Sequence, residues 1–532
     1  MLGAFILAVS APVLGTAYTW PAPQLDALEA ARFDLPTTLS LGVDPCDSFF
    51  TTSSGRANVA DWVRTAYHDM ATYNSEDGTG GLDGSIRFTE EQSRPENAGD
   101  GFANTMPFVT LQASRYISIA DSIALAAITA IESCGGPEIP FRGNRTDATH
   151  PNSPGVPEPQ QDLDAHIASF KKQGFTKEEM IGLVACGHSF GGVQHAPFPD
   201  IVPEMNDPDN KESSQHFDST FFTFDNNVAT EYISGTTQNP LVVGLNDTTN
   251  SDKRIFGSDG NVTMQGFADS QDLFFSTCSA LLARMLDTVP KETTLTDVIT
   301  PLPVKPASVE LQLDADKSTL KLSGLLRLWN TPADPTRSVR LLYADHTSAN
   351  NGNYTLFPAN PPSSTSVGNK YTSSWYWYNR TISGGIGALA LDAEQGITSL
   401  SFVVDGKVED QDGVGFKVED GVVFSKSSCI KRDFKTARFD VAVRNSASPT
   451  RVYLEQIQVH SPDAPTVIEI DIPRPSSVDA DSVYSIWSIE LPLSIVQYHI
   501  GAEFLGSGGA VKYSTAAVYT TSGSVSGGLC PE

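Results

Sequence analysis

The chain has 532 residues with 63 acidic and 35 basic side chains, a formal charge of -28 and a pI near 4.6. A surface of that sign repels phosphate backbones and anionic bilayers, which argues against nucleic-acid and membrane-surface partners. The length calls for more than one domain.

Residues 1–17 form an apolar stretch ending Gly15-Thr16-Ala17, small residues that suit a signal peptide cleavage site better than a membrane span, although no early Lys or Arg precedes them. Export is therefore expected. Val59, Val63, Ala66, Tyr67 and Met70 recur at helical spacing, and this puts Arg64 and His68 one turn apart on a common face, followed by Asp69. Gly81-Leu-Asp83-Gly-Ser85 and Glu96-Asn97-Ala-Gly99 lie in the loops that follow. A mostly apolar run covers Ile117–Ala127, with Cys134 beyond it. Thr176-Lys-Glu-Glu179 is a capping box opening a helix that runs apolar through Met180, Ile181, Leu183, Val184 and Ala185 to His188 and Ser189. Next come Phe217, the oxygen-rich run Asp218-Ser-Thr220-Phe-Phe-Thr223-Phe-Asp225, and Ser258-Asp259-Gly260-Asn261, which is also plain turn chemistry. A last helix is expected from about Phe267 to Leu286.

Prolines cluster at Thr300-Pro-Leu-Pro-Val-Lys-Pro306, and helical periodicity then gives way to period-two runs at 309–313, 399–403, 439–443, 452–457, 467–472 and 485–489. A linker at 300–308 and a second domain at 309–532 follow, most simply an antiparallel β-sandwich or a pair of small ones. Trp375 and Trp377 would share one strand face, where they could stack on a sugar or simply point inward. Six cysteines suit an oxidising compartment. Asn-x-Ser/Thr acceptors begin at Asn144, Asn246, Asn261, Asn353 and Asn379.

Taken together, the two histidine segments and the motifs between them resemble the plant, fungal and bacterial haem peroxidase superfamily, closest to the secreted fungal class II type, over roughly residues 40 to 290. The resemblance implies a mainly α-helical haem peroxidase domain at 18–299 ahead of the all-β domain. It also implies haem b, two Ca²⁺ ions, hydrogen peroxide as substrate and a small organic donor. Arg64, His68 and Asn97 would be catalytic: the imidazole moves the peroxide proton, the cation stabilises charge as the O–O bond breaks, and the Asn side chain fixes the tautomer. His188 would be the axial iron ligand, supported by Asp259 in its Ser-Asp segment and by Phe217 stacked on the proximal face. Phe rather than Trp at 217 implies an oxoferryl intermediate with a porphyrin-centred radical.

Distal calcium ligands would be Asp69, Gly81, Asp83 and Ser85, and proximal ones Ser189, Asp218, Thr220, Thr223 and Asp225, all hard oxygen donors. Cys46 with Cys134 resembles a family disulfide, Cys186 reads as a buried thiol, and the pairing of Cys278, Cys429 and Cys530 stays open. Tyr67 departs from the Phe or Trp usual over the haem. Where manganese-oxidising members carry carboxylates this chain has Arg56, Ala60 and Gly191, and Leu183 replaces the surface Trp of lignin-oxidising relatives. The expectation is thus a secreted peroxidase acting on small phenols or similar donors. Two alternatives are a non-enzymatic wall or carbohydrate-binding protein that keeps the fold, and a peroxygenase-like oxidant.

Overall fold

The structure, a computed structural model, describes residues 18–34, 37–347, 352–381, 386–460, 463–477, 482–492, 498–505, 511–513 and 527–531, and the expected signal peptide lies outside them. Around Ile119–Ser133, a helix apolar on nearly every face and therefore buried on nearly every face, the N-terminal part is helical. Ser118 accepts the N–H of Asp121 at its start, and the Asp147 carboxylate accepts from Ile119 and Ala120 (3.0 and 2.9 Å), so Asp147 serves as a cap. Arg145 closes the other side with Asp121 at 3.0 Å and the carbonyl of Leu286 at 2.7 Å. The helix Asn58–Met70 packs against this axis, and in the same core the helix Lys177–Gly187 packs against the expected last helix, at Gln271–Leu286.

Residues beyond 300 form sheets of ten, five, four and two strands among the described residues. The ten-stranded sheet feeds two cores. Ala442, Val423 and Tyr484 face one side with Leu341, Leu400 and Phe402 of the five-stranded sheet. Val441, Val443 and Trp487 face the other with Leu454 and Ile500 of the four-stranded sheet. Burial on both faces explains the unbroken Val441-Ala442-Val443 run, which a one-sided strand would not need. This is a pair of sandwiches sharing a sheet. Pairing is mostly antiparallel, with Val422–Ser425 against Val304–Leu313 and Cys429–Ile430 against Gly527–Leu529 running parallel. Trp375 and Trp377 share a half-buried face, the former donating its indole N–H to Ser364 (2.8 Å).

Two boundaries differ from expectation. The first strand is Val304–Leu313, so only about 300–303 connects the halves; Pro306 sits at a register shift in the ladder, where a missing N–H is tolerated. And the N-terminal segment belongs partly to the β half, because Trp20 lies in its core and exchanges hydrogen bonds with Gln411 (2.7 and 2.9 Å).

The halves are joined by buried charge. Arg327 donates to Asp34 (2.6 Å), to Glu29 and to the carbonyl of Leu302 (3.0 Å), and Lys305 lies 3.5 Å from both Asp26 and Glu29. The hydroxyl of Tyr18 donates to the same carboxylates, Asp26 and Glu29. Both cations come from strands and all three carboxylates from the first helix, Pro23–Phe33, or its end. Removing one partner of such a pair leaves an uncompensated buried charge. Arg327→Leu is therefore expected to destabilise the full chain by about 3–5 kcal/mol in denaturant unfolding. A version ending before Val304, stripped of both cations, should melt below the full chain in calorimetry; equal melting temperatures would show that the halves are energetically independent.

Candidate active site

The helix Asn58–Met70 buries Val59, Trp62, Val63, Ala66 and Met70 and turns Arg64 and His68 toward a cavity. His68 is 8% exposed. Its Nδ1 lies 2.7 Å from Oδ1 of Asn97, whose own amide donates to the carbonyl of Glu91 (2.8 Å) and is thereby held in one orientation. An oxygen facing Nδ1 requires the proton there, which leaves Nε2 bare. Burial, and then the neighbouring Arg64 cation, push the His68 pKa well below its usual 6.5, so the ring is neutral. Arg64 donates to the carbonyl of Ala98 (2.8 Å) and packs over the Phe102 ring; burial lowers its pKa to about 10, and it keeps its charge at neutral pH.

The same cavity, of about 950 Å³, is also lined by His188, at the C-terminal end of the capped helix Lys177–Gly187. Its Nδ1 is 2.8 Å from Oδ2 of Asp252, which also accepts from Asn239 (2.7 Å). The carboxylate orients the ring through Nδ1 and leaves Nε2 without a hydrogen-bond partner among the described residues. Phe217 lies parallel to the His188 ring, 4.0 Å between centroids at 12°.

Asp259 is not the partner of His188. It accepts the N–H groups of Val262 (3.0 Å) and Thr263 (2.9 Å) at the start of the helix Val262–Asp269, a capping role consistent with the turn chemistry around it. The sequence holds a second Ser-Asp pair, Ser251-Asp252. It opens the short helix Ser251–Phe256, whose Ile255 and Phe256 are buried, so Asp252 is drawn inward while Asp259 stays at the surface turn. That apolar follow-on was the available signal. Asn239 carried none.

Tyr67 lines the cavity, stacks on Phe170 and points its hydroxyl at Gln173 (3.4 Å). Arg56 lies at the cavity wall in ion pairs with Asp61 (2.9 Å), Asp100 (2.8 Å) and Glu212 (2.9 Å). Ala60 and Gly191 touch: a Cβ on Gly191 would fall 2.5 Å from that of Ala60. Leu183 is buried.

The two expected calcium loops differ. On the proximal side Thr220 bonds Asp225 (2.9 Å), Ser189 bonds the Asp225 carbonyl (2.8 Å), and Thr223 folds back onto Thr220 (2.7 Å). Asp218 Oδ1 accepts from Thr220 N–H (2.9 Å), but its Oδ2 is buried with no partner among the described residues. Burial, aided by Asp225 and Glu231, pushes the Asp218 pKa up to about 7. A hard cation would satisfy that oxygen. On the distal side Asp69 accepts from the N–H groups of Gly84 (2.7 Å) and Ile86 (2.8 Å), Gly81 is held by Thr72 (3.0 Å), and the oxygens of Asp83 and Ser85 receive the Asn152 side chain.

Cys46 and Cys134 are bonded, with Cα atoms 5.7 Å apart. Cys186, expected as a free thiol, is instead bonded to Cys278 (Cα atoms 5.6 Å apart), tying the helix that ends at His188 to Gln271–Leu286; the third pair is Cys429–Cys530. The packing of those two helices sets this pair, and spacing along the chain does not encode it.

Compared with known proteins, residues 48–270 match the family model described as Peroxidase. The chain is 40% identical over 338 residues to a WSC domain-containing protein of Arthroderma benhamiae, an alignment covering 62% of this chain and 46% of that protein. It therefore spans less than half of that relative. It is 28% identical over 215 residues to L-ascorbate peroxidase 5, peroxisomal, of Arabidopsis thaliana (40% of this chain, 70% of the relative). It is 27% identical over 241 residues to a putative heme-binding peroxidase of Pyricularia oryzae (42% and 77%).

The two carboxylates make separable predictions. In haem-loaded protein Asp252→Asn is expected to raise the iron reduction potential, because the proximal imidazole then donates less electron density. Asp259→Asn should leave the potential unchanged and lower stability by about 1 kcal/mol through the weakened cap. Potentiometric titration of both variants checks this, and a shift in the second alone would reverse the assignment.

Proposed function

The chain belongs, through residues 48–270, to the haem peroxidase superfamily, and on that premise we propose that it is a secreted haem peroxidase that reduces hydrogen peroxide and oxidises small phenolic or similar organic donors. The observation that carries this reading is the pair of imidazoles lining one cavity, each with its Nδ1 bound to a buried oxygen and its Nε2 without a hydrogen-bond partner among the described residues. A 950 Å³ cavity is of a size for a large planar cofactor. When bound there, haem supplies the redox-active iron. His188 would hold the metal through Nε2, with Asp252 keeping the ring oriented and electron-rich. His68 Nε2 takes the proton from peroxide and returns it to the departing oxygen, and Arg64, fixed by Ala98 and Phe102, stabilises the negative charge that develops as the O–O bond breaks. Asn97 prevents the ring from flipping into the tautomer that could not act as base.

Small donors are favoured over Mn²⁺. Arg56 puts a cation where manganese-oxidising members hold a carboxylate, and the Ala60–Gly191 contact leaves no room for another. Leu183, being buried, offers no surface relay. Export is supported by the three disulfides, which persist in oxidising compartments. Calcium is proposed for the proximal loop, where Asp218, Thr220, Thr223, Asp225 and Ser189 supply hard oxygens and Asp218 Oδ2 lacks a partner. The distal residues do not fit a second ion, since their oxygens are already bonded within the protein.

His68→Ala should retain haem and slow peroxide cleavage by about 10²–10⁴-fold for lost acid–base catalysis alone, measured by stopped-flow absorbance; an unchanged rate would remove the role of His68. Because its pKa lies well below 6.5, the wild-type rate should stay flat as pH falls through 6.5 and decline only in more acidic solution, where the base becomes protonated. A rate that halves near pH 6.5 would contradict the buried, cation-adjacent environment. Chelation of calcium, or Asp218→Asn, should loosen the proximal side and speed haem loss before global unfolding.

A further inference from the structure

We infer that the distal loop carries no calcium because the side-chain amide of Asn152 takes the place of the ion. The proposal rests on the residues themselves and not on the reading of the proximal loop. Asn152 Nδ2 lies 3.0 and 2.9 Å from the two oxygens of Asp83, 3.0 Å from Oγ of Ser85 and 3.3 Å from Oγ1 of Thr72. One nitrogen thus sits among four oxygens from three side chains, a convergence that a cation would otherwise make. Its two hydrogens are shared among acceptors, and in this ion-free arrangement the carbonyl oxygen is disfavoured at that place, because it would face both oxygens of Asp83 with no proton or cation between them.

The backbone holds the amide in position. The N–H of Asn152 donates to the Glu91 carboxylate, and its carbonyl accepts from Arg94 (2.6 Å). Asp69, the other expected ligand, spends one oxygen on the N–H of Gly84 and the other on that of Ile86. Thr72 donates to the Asp69 carbonyl (2.9 Å) and accepts from Gly81, closing the loop on the helix that bears His68. Every carboxylate oxygen of Asp69 and Asp83 therefore has a protein donor, whereas the proximal Asp218 keeps a buried oxygen without one. A divalent ion at the distal position would have to displace the amide and break four contacts before gaining its own.

The consequence is an asymmetric metal requirement: the base-bearing side is braced by protein alone and the iron-binding side by an ion. Metal counting on haem-loaded full-length protein, equilibrated with calcium and passed through a desalting column, tests it. The expected count is one calcium per chain in wild type and none in Asp218→Asn. Two ions in wild type, or one persisting in Asp218→Asn, would overturn the inference. A count of zero in wild type would instead defeat the proximal reading while agreeing with the distal one. Asn152→Asp, which places a third carboxylate against Asp83 and Ser85, is expected to gain one calcium and a calcium-dependent melting temperature; if it does not fold, the wild-type and Asp218→Asn counts still decide the matter.

Discussion

Everything in the N-terminal half depends on holding two imidazoles in fixed orientations at the wall of one cavity. Each ring is fixed by one hydrogen bond from Nδ1, to an amide oxygen at His68 and to a carboxylate at His188, and this choice of acceptor separates their chemistry. An amide leaves the distal ring a weak base, buried beside a cation. A carboxylate makes the proximal ring a stronger electron donor. The same side chain thereby serves two purposes because its second-nearest neighbour differs.

Holding those partners requires long-range connections. Asn97 is oriented by Glu91, whose carboxylate also receives Asn152, so the distal base is linked to the loop that braces the helix beneath it. The Cys186–Cys278 bond fastens the proximal helix immediately before His188. The β half is joined through Arg327 and Lys305 to carboxylates of the first helix and, with Trp20 in its core, shares structure with the haem domain.

Much of this was readable in the chain. Helical spacing placed Arg64 and His68 on one face, and the Thr176–Glu179 box placed the helix that presents His188, because both signals are local. The period-two runs fall on strands, while others, Thr319–Leu328 and Val339–Ala344 among them, carried no such mark. What escaped depends on contacts between distant segments. Asp252 and Asp259 stand in identical Ser-Asp pairs, and only burial of the helix after the first distinguishes them. Pro306 read as linker because a bulge that accommodates proline leaves no sequence period. Asn152 lies in an aperiodic loop and meets oxygens from Thr72, Asp83 and Ser85, none of which marks it in advance.

The central claim is that one planar iron cofactor lies between His68 and His188 and is bound by the latter. Absorption titration of haem into the full-length protein and into His188→Gly and His68→Gly, with and without added imidazole, measures this most directly. The account predicts one haem per chain in wild type, weakened binding in His188→Gly that free imidazole restores, and retained binding in His68→Gly. Undiminished binding in His188→Gly without imidazole, or loss only in His68→Gly, would contradict it.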